Sequence, residues 1–212
     1  MRALAVALLI AVPVVSLAGQ EPSPLDVPFE EETGTPSVAV GPAGSGGILF
    51  GADVGWLTSS LQAHLGLTSW LDIMVRFEAM PLYEGLQAQN GVLIGLRVSP
   101  ERGTFRYSVG VAAGRVFVPY GSSTAWLTTV RGETAVGLVL GRWTPYARAE
   151  VRGLQSDNLF ARRWEWDGQV GAGLESNWLS RGQLILGGEV YGWVRPGSGS
   201  LFQWRLRVGW AL

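Results

Sequence analysis

The 212-residue chain has no cysteine, no lysine and a single histidine, and only 16% of its residues are charged. Without cysteine there is no disulfide scaffold, thiolate metal site, cysteine nucleophile or lipid-modified N-terminal cysteine. One histidine leaves no basis for a histidine-rich metal centre, so no metal and no cofactor is expected. A formal charge of -1 argues against nucleic acid as a partner. Long apolar runs are also missing: beyond the N-terminus no eighteen consecutive residues are apolar, which excludes a transmembrane helix. What is present is 47% hydrophobic residues, 30 glycines and 10 tryptophans, too apolar for a disordered chain. All sixteen basic residues are arginine, an odd choice for a water-facing surface.

The N-terminus reads as a targeting segment. Arg2 precedes an apolar run from Ala3 to Val15, followed by Ser16-Leu17-Ala18, a small-x-small site for cleavage after Ala18. A membrane anchor is the competing reading, but the run is interrupted by Pro13, is short of the roughly 20 residues that a spanning helix needs, and leads at once into Gln20-Glu21. Residues 1–18 are thus expected to be a signal peptide and residues 19–36, rich in proline and carboxylates, a flexible tail. Residues 37–212 form the folded part, with fifteen arginines against twelve acids.

From residue 47 the hydrophobic period is two. Leu71, Ile73, Val75, Phe77 and Ala79 alternate with Asp72, Met74, Arg76 and Glu78, and the pattern recurs in seven further runs, ending with Phe202, Trp204, Leu206, Val208, Trp210 and Leu212. Parity breaks near Thr58-Ser59-Ser60, either at a hairpin or at a bulge; in the second case residues 35–41 supply the first strand. Both routes give about ten strands. Short connections (68–70, 99–103, 142–145, 177–182) alternate with longer ones (81–89, 118–124, 154–159, 195–200), as in an up-and-down antiparallel meander.

Alternation alone does not say which face meets which solvent. Trp70, Trp143, Trp178 and Trp210 fall at one set of strand ends, and Trp56, Trp126, Trp193 and Trp204 toward the other. Indoles favour the boundary between hydrocarbon and headgroup, so two such levels predict the interface girdles of a transmembrane β-barrel. The opposite face carries Arg76, Arg97, Arg106, Arg131, Arg148, Arg152, Arg205 and Arg207 with Asp72, Glu78, Glu133, Glu150, Glu165, Asp167, Glu175 and Glu189. In a soluble barrel these would be ordinary surface charges. In a narrow lumen they must pair, and the guanidinium fork suits that role. A ten-stranded barrel filled in this way is mostly plugged.

The C-terminal strand resembles the assembly signal of bacterial outer-membrane proteins, although Leu212 stands where that family usually ends in phenylalanine or tryptophan. Gly66-Leu67-Thr68-Ser69-Trp70-Leu71-Asp72 is similar to a hairpin found in many small outer-membrane barrels. The resemblance implies an all-β outer-membrane barrel with a polar lumen, in contact with outer-membrane lipid and with the assembly machinery through its last strand. Outer-membrane proteases and lipid A-modifying enzymes share this architecture and depend on a histidine near the extracellular rim. His64 instead lies close to the short turn at Thr68, with only Asp72 placed to approach it across the hairpin. No catalytic residue is therefore assigned. A non-catalytic envelope role, with loops such as 81–89 offered to an external ligand, ranks above a narrow conduit for a small solute, and both rank above an enzyme.

Overall fold

The computed structural model describes residues 36–56, 58–80, 89–120, 123–156, 164–178, 183–195 and 198–212. The expected signal peptide and nearly all of the expected tail lie outside the described residues, as do most of the 81–89 connection. Eleven strands follow in order: β1 (Ile48–Gly55), β2 (Ser59–Gly66), β3 (Leu71–Met80), β4 (Gln89–Val98), the two-residue β5 (Glu101–Arg102), β6 (Phe105–Tyr120), β7 (Ser123–Leu138), β8 (Trp143–Ser156), β9 (Trp164–Trp178), β10 (Leu184–Arg195) and β11 (Ser198–Ala211). Each long strand pairs antiparallel with its neighbours, β4 passes directly to β6, and β1 pairs with β11 from Leu49↔Ala211 to Gly55↔Arg205. The ten long strands thus close into an up-and-down barrel.

The parity break after Trp56 is a hairpin, with Val54 opposite Ser59, so the first strand begins at Ile48. The tight hairpin at the end of β7 depends on Gly141, whose φ of 60° is costly for any side chain with a Cβ. Leu140 and Trp143 exchange backbone hydrogen bonds across it at 2.8 and 3.1 Å.

The expected contrast between short and long connections holds less well. At the end opposite Leu212, β6 runs to Tyr120 and β7 starts at Ser123, while β10 runs to Arg195 and β11 starts at Ser198. Two connections expected to be long therefore shrink to two residues each. The strands continue past the stretch where hydrophobicity alternates, because backbone pairing needs no apolar face. The wall is also uneven, with β1 and β2 of eight residues and β6 and β7 of sixteen.

Burial identifies the two faces. Among the described residues thirty-three large hydrophobics are exposed, including Val54, Ile94, Val111, Val170 and Leu206, and they occupy the outward positions of every long strand. Water-soluble monomers seldom expose apolar patches beyond a few hundred Å², so this belt is a hydrocarbon-facing surface. Trp70, Trp143, Trp178 and Trp210 face outward at the end that holds Leu212, and Trp56, Trp126, Trp166 and Trp204 face outward toward the other. Trp166 and Trp178 are twelve residues apart on β9. At about 3.3 Å per residue and a tilt of about 40° they are separated by roughly 30 Å, the scale of a bilayer's apolar core.

Candidate functional site

The inward face of each strand converges on a lumen, and at the end nearest Leu212 lumen side chains hold the chain's own residues 37–43. Ser37 to Gly41 form a single turn, closed by Gly41 N–H donating to the Ser37 carbonyl at 3.0 Å and Val40 N–H donating to Ser37 Oγ at 3.1 Å. A buried turn must satisfy its remaining backbone groups, and here lumen side chains do so. Arg97 donates to the carbonyls of Val38 (2.7 Å) and Gly41 (2.5 Å), and Ser108 Oγ donates to that of Ala39 (3.0 Å). Glu175 accepts from Ala39 N–H (3.1 Å) and Ser37 Oγ (2.5 Å), and Asp72 accepts from Ala43 N–H (3.1 Å).

Two valines anchor the turn. Val40 packs with Ala39, Ala135 and Tyr146, and Val38 with Leu49 and Ile185. Val38 occupies a pit over Gly51 and Gly209, which lie opposite each other on β1 and β11. A Cβ at Gly51 would come within 2.8 Å of one Val38 methyl, and a Cβ at Gly209 within 2.6 Å of the other. Those two positions accept the plug only as glycines.

Around and above the plug the charged residues form a continuous network. Arg97 binds Asp72 through Nε and Nη2, and Arg207 grips Asp53 at 2.6 and 3.1 Å while reaching Glu175 at 2.8 Å. Arg205 forks onto Glu189, which also accepts from the Tyr146 hydroxyl at 2.9 Å. Arg152 holds Asp167 at 2.8 Å and lies over the Trp193 ring at 5.1 Å. The centre contains two unfavourable register pairs, Glu133 opposite Glu150 and Arg131 opposite Arg152. Like charges directly opposite destabilise a sheet. Here diagonal and cross-lumen pairs offset that: Arg131 binds Glu150 and Glu78, and Arg148 binds Glu133 at 2.7 Å.

The residues singled out in the sequence are placed as follows. Asp72, Arg76, Glu78, Arg97, Arg106, Arg131, Glu133, Arg148, Glu150, Arg152, Asp167, Glu175, Glu189, Arg205 and Arg207 all point inward and are buried or half-buried. Glu165 shares their strand parity but stands exposed beyond Asp167, where β9 rises out of the packed lumen. Asp53, which is not among the inward charges expected from the sequence, is also part of the network, buried against Arg207. Trp193 belongs to the lumen and not to the girdle. It pairs with Gln169 on the same face as buried Tyr191, and its ring is covered by Arg152. Trp164 and Trp166, stacked at 5.8 Å on the outer wall, are exposed there with the girdle tryptophans.

His64 is buried in the lumen between Leu49 and Met74, and neither ring nitrogen has a hydrogen-bond partner. The approach of Asp72 does not occur, because that carboxylate is taken by Arg97 and the Ala43 amide. The glycines of β9 make room for rings: a Cβ at Gly173 would lie 2.5 Å from the Tyr146 ring, and one at Gly171 would lie 2.6 Å from Tyr191 Cβ.

At the end away from residues 37–43 the lumen holds a small cleft, with a cavity volume of about 30 Å³. Arg76, Arg131, Arg152 and Arg205 line it with Asp53, Glu78 and Glu150, and the hairpin residues Thr58 to Ser60 form part of its rim.

No protein-family model matches the chain, and no curated protein matches it. Among solved structures it is similar to the N-terminal β-barrel domain of Pseudomonas aeruginosa OprF, with 10% identity and a TM-score of 0.37 over 78% of this chain and 96% of that one. It is similar to OmpT, an outer membrane protein of Vibrio cholerae, with 10% identity and a TM-score of 0.39 over 73% of this chain and 56% of that one. A porin aligns with 12% identity and a TM-score of 0.35 over 77% of this chain and 60% of that one.

Proposed function

We propose that this chain is an integral protein of a bacterial outer membrane: a non-conducting, non-catalytic barrel that contributes to the envelope or presents its rim to external ligands. In this reading residues 1–18 direct export, the last strand engages the assembly machinery, and the plugged end faces the periplasm. The lipid-facing belt between two tryptophan levels supports insertion.

The observation that carries the closed reading is residues 37–43, whose backbone groups are bound by Arg97, Ser108, Glu175 and Asp72 inside the lumen. A solute path would have to break those bonds and then part the Arg131–Glu150–Arg148–Glu133 cluster behind them. Each broken buried pair costs about 3–5 kcal/mol. Planar-bilayer recording of the refolded chain tests this. A silent membrane is expected, and stable unitary steps would favour the conduit and refute closure.

A further inference from the structure

We propose that the cleft opposite the plug is a binding site for a small oxyanion, a carboxylate or a phosphate, held by Arg76 and Arg131. Charge alone does not produce it, since the guanidiniums and carboxylates of the lumen nearly balance. Hydrogen-bonding capacity does. A guanidinium carries five N–H donors, whereas a carboxylate offers about four acceptor positions, and here many of those are already occupied by other donors. Asp53 is committed to Arg207 and Ser60, and Glu150 to Arg131 and Arg148. Glu78 Oε1 is shared by two cations: it pairs with Arg131 Nη1 and lies 2.9 Å from Arg76 Nε.

That sharing leaves donors over. Arg76 is 3% exposed, and its Nε and Nη1 have no hydrogen-bond partner; the Glu78 oxygen is close but out of line. Its other carboxylate neighbour, Glu133, is 3.9 Å away. Arg131 Nε is likewise buried without a hydrogen-bond partner, with Glu133 Oε2 3.8 Å away. The cleft wall adds Arg152 and Arg205, so four guanidiniums face three carboxylates, and Gln169 and Ser59 supply neutral polar groups. Buried unpaired donors are costly, and a ligand that brings acceptor oxygens relieves them. The space suits a few heavy atoms. It excludes a nucleotide or an oligosaccharide.

The test is isothermal titration calorimetry on the folded full chain in a maltoside detergent, which has no phosphate of its own. Inorganic phosphate and acetate are titrated separately against a chloride background of constant ionic strength. Saturable one-to-one binding with a Kd on the order of 1 mM is expected for at least one probe, and whichever binds identifies the class. Val116→Phe adds bulk to the cleft wall on β6 without changing any charge and is expected to weaken that binding at least about tenfold, as is Arg76→Gln. No saturable heat with either probe up to about 50 mM would overturn the proposal. So would undiminished binding to either variant once its folded state is verified by gel mobility before and after boiling.

Discussion

The pit beneath Val38 offers a direct way to loosen the plug without altering any charge. In Gly51→Ala and Gly209→Ala the new methyls fall 2.8 and 2.6 Å from the two Val38 methyls, whereas carbon atoms at rest stay about 3.5–4.0 Å apart. The strand backbones are pinned by the β1–β11 ladder, and a Cβ at Gly209 is also hemmed in by the Phe50 carbonyl at 3.1 Å and Ile185 Cβ at 3.2 Å. The plug must therefore give way by about 1 Å at each site. Overpacking of this kind costs about 1–3 kcal/mol, which corresponds to a roughly five- to 150-fold rise in the open population.

Hydrogen exchange followed by mass spectrometry on the detergent-solubilised barrel reads that population through the amides of Ala39, Val40, Gly41 and Ala43, each bonded within the lumen. Faster exchange at these amides is expected in either variant, with the strand amides unchanged. Val38→Ala removes the clashing methyls, so the double variant Val38→Ala/Gly209→Ala should exchange more slowly than Gly209→Ala alone, with a coupling of about 1 kcal/mol or more. If all of these proteins exchange alike at residues 39–43, the plug does not sit in that pit and the argument fails.

Two other perturbations test separate parts of the lumen. Arg205→Met leaves Glu189 buried without its fork and should lower urea stability by about 3–5 kcal/mol, while adding Glu189→Leu should restore more than half of that loss; an equal or larger loss in the double variant would show that the pair is not the source. Single-tryptophan proteins in vesicles of acyl-brominated lipid should show strong quenching for Trp204 and little for Trp193, because only the former touches lipid; equal quenching would return Trp193 to the girdle.

The strands and their facing were legible in the sequence because a lipid-bathed wall imposes a strict period of two. Trp193 shows how far that rule reaches. With Leu184, Leu186 and Val190 outward, residue 193 falls inward by parity, although its height along the strand matches that of the girdle. Asp53 is equally legible, lying between outward Ala52 and Val54 on β1. The extension of β6 to Tyr120, β7 back to Ser123, β10 to Arg195 and β11 back to Ser198 was not legible, because strands that leave the apolar layer lose their pattern while keeping their hydrogen bonds. Nor was the plug. Ser37-Val38-Ala39-Val40-Gly41 has the short period of two that allows a strand over 35–41, and what makes it a turn instead is its partners on β3, β4, β6 and β9, none of which is near in the chain.

Those partners also bear on how the molecule is built. Ser37 meets Glu175 across 138 positions of chain, and Asp53 meets Arg207 across 154. The plug's seat therefore does not exist while strands are still being added, and it comes into being only when the first and last of them meet. A chain threaded into the bilayer strand by strand carries its stopper outside an unfinished wall until that moment. Seating the stopper is then the step that distinguishes a finished cylinder from an open sheet, and it makes the earliest residues of the fold the last to find their place.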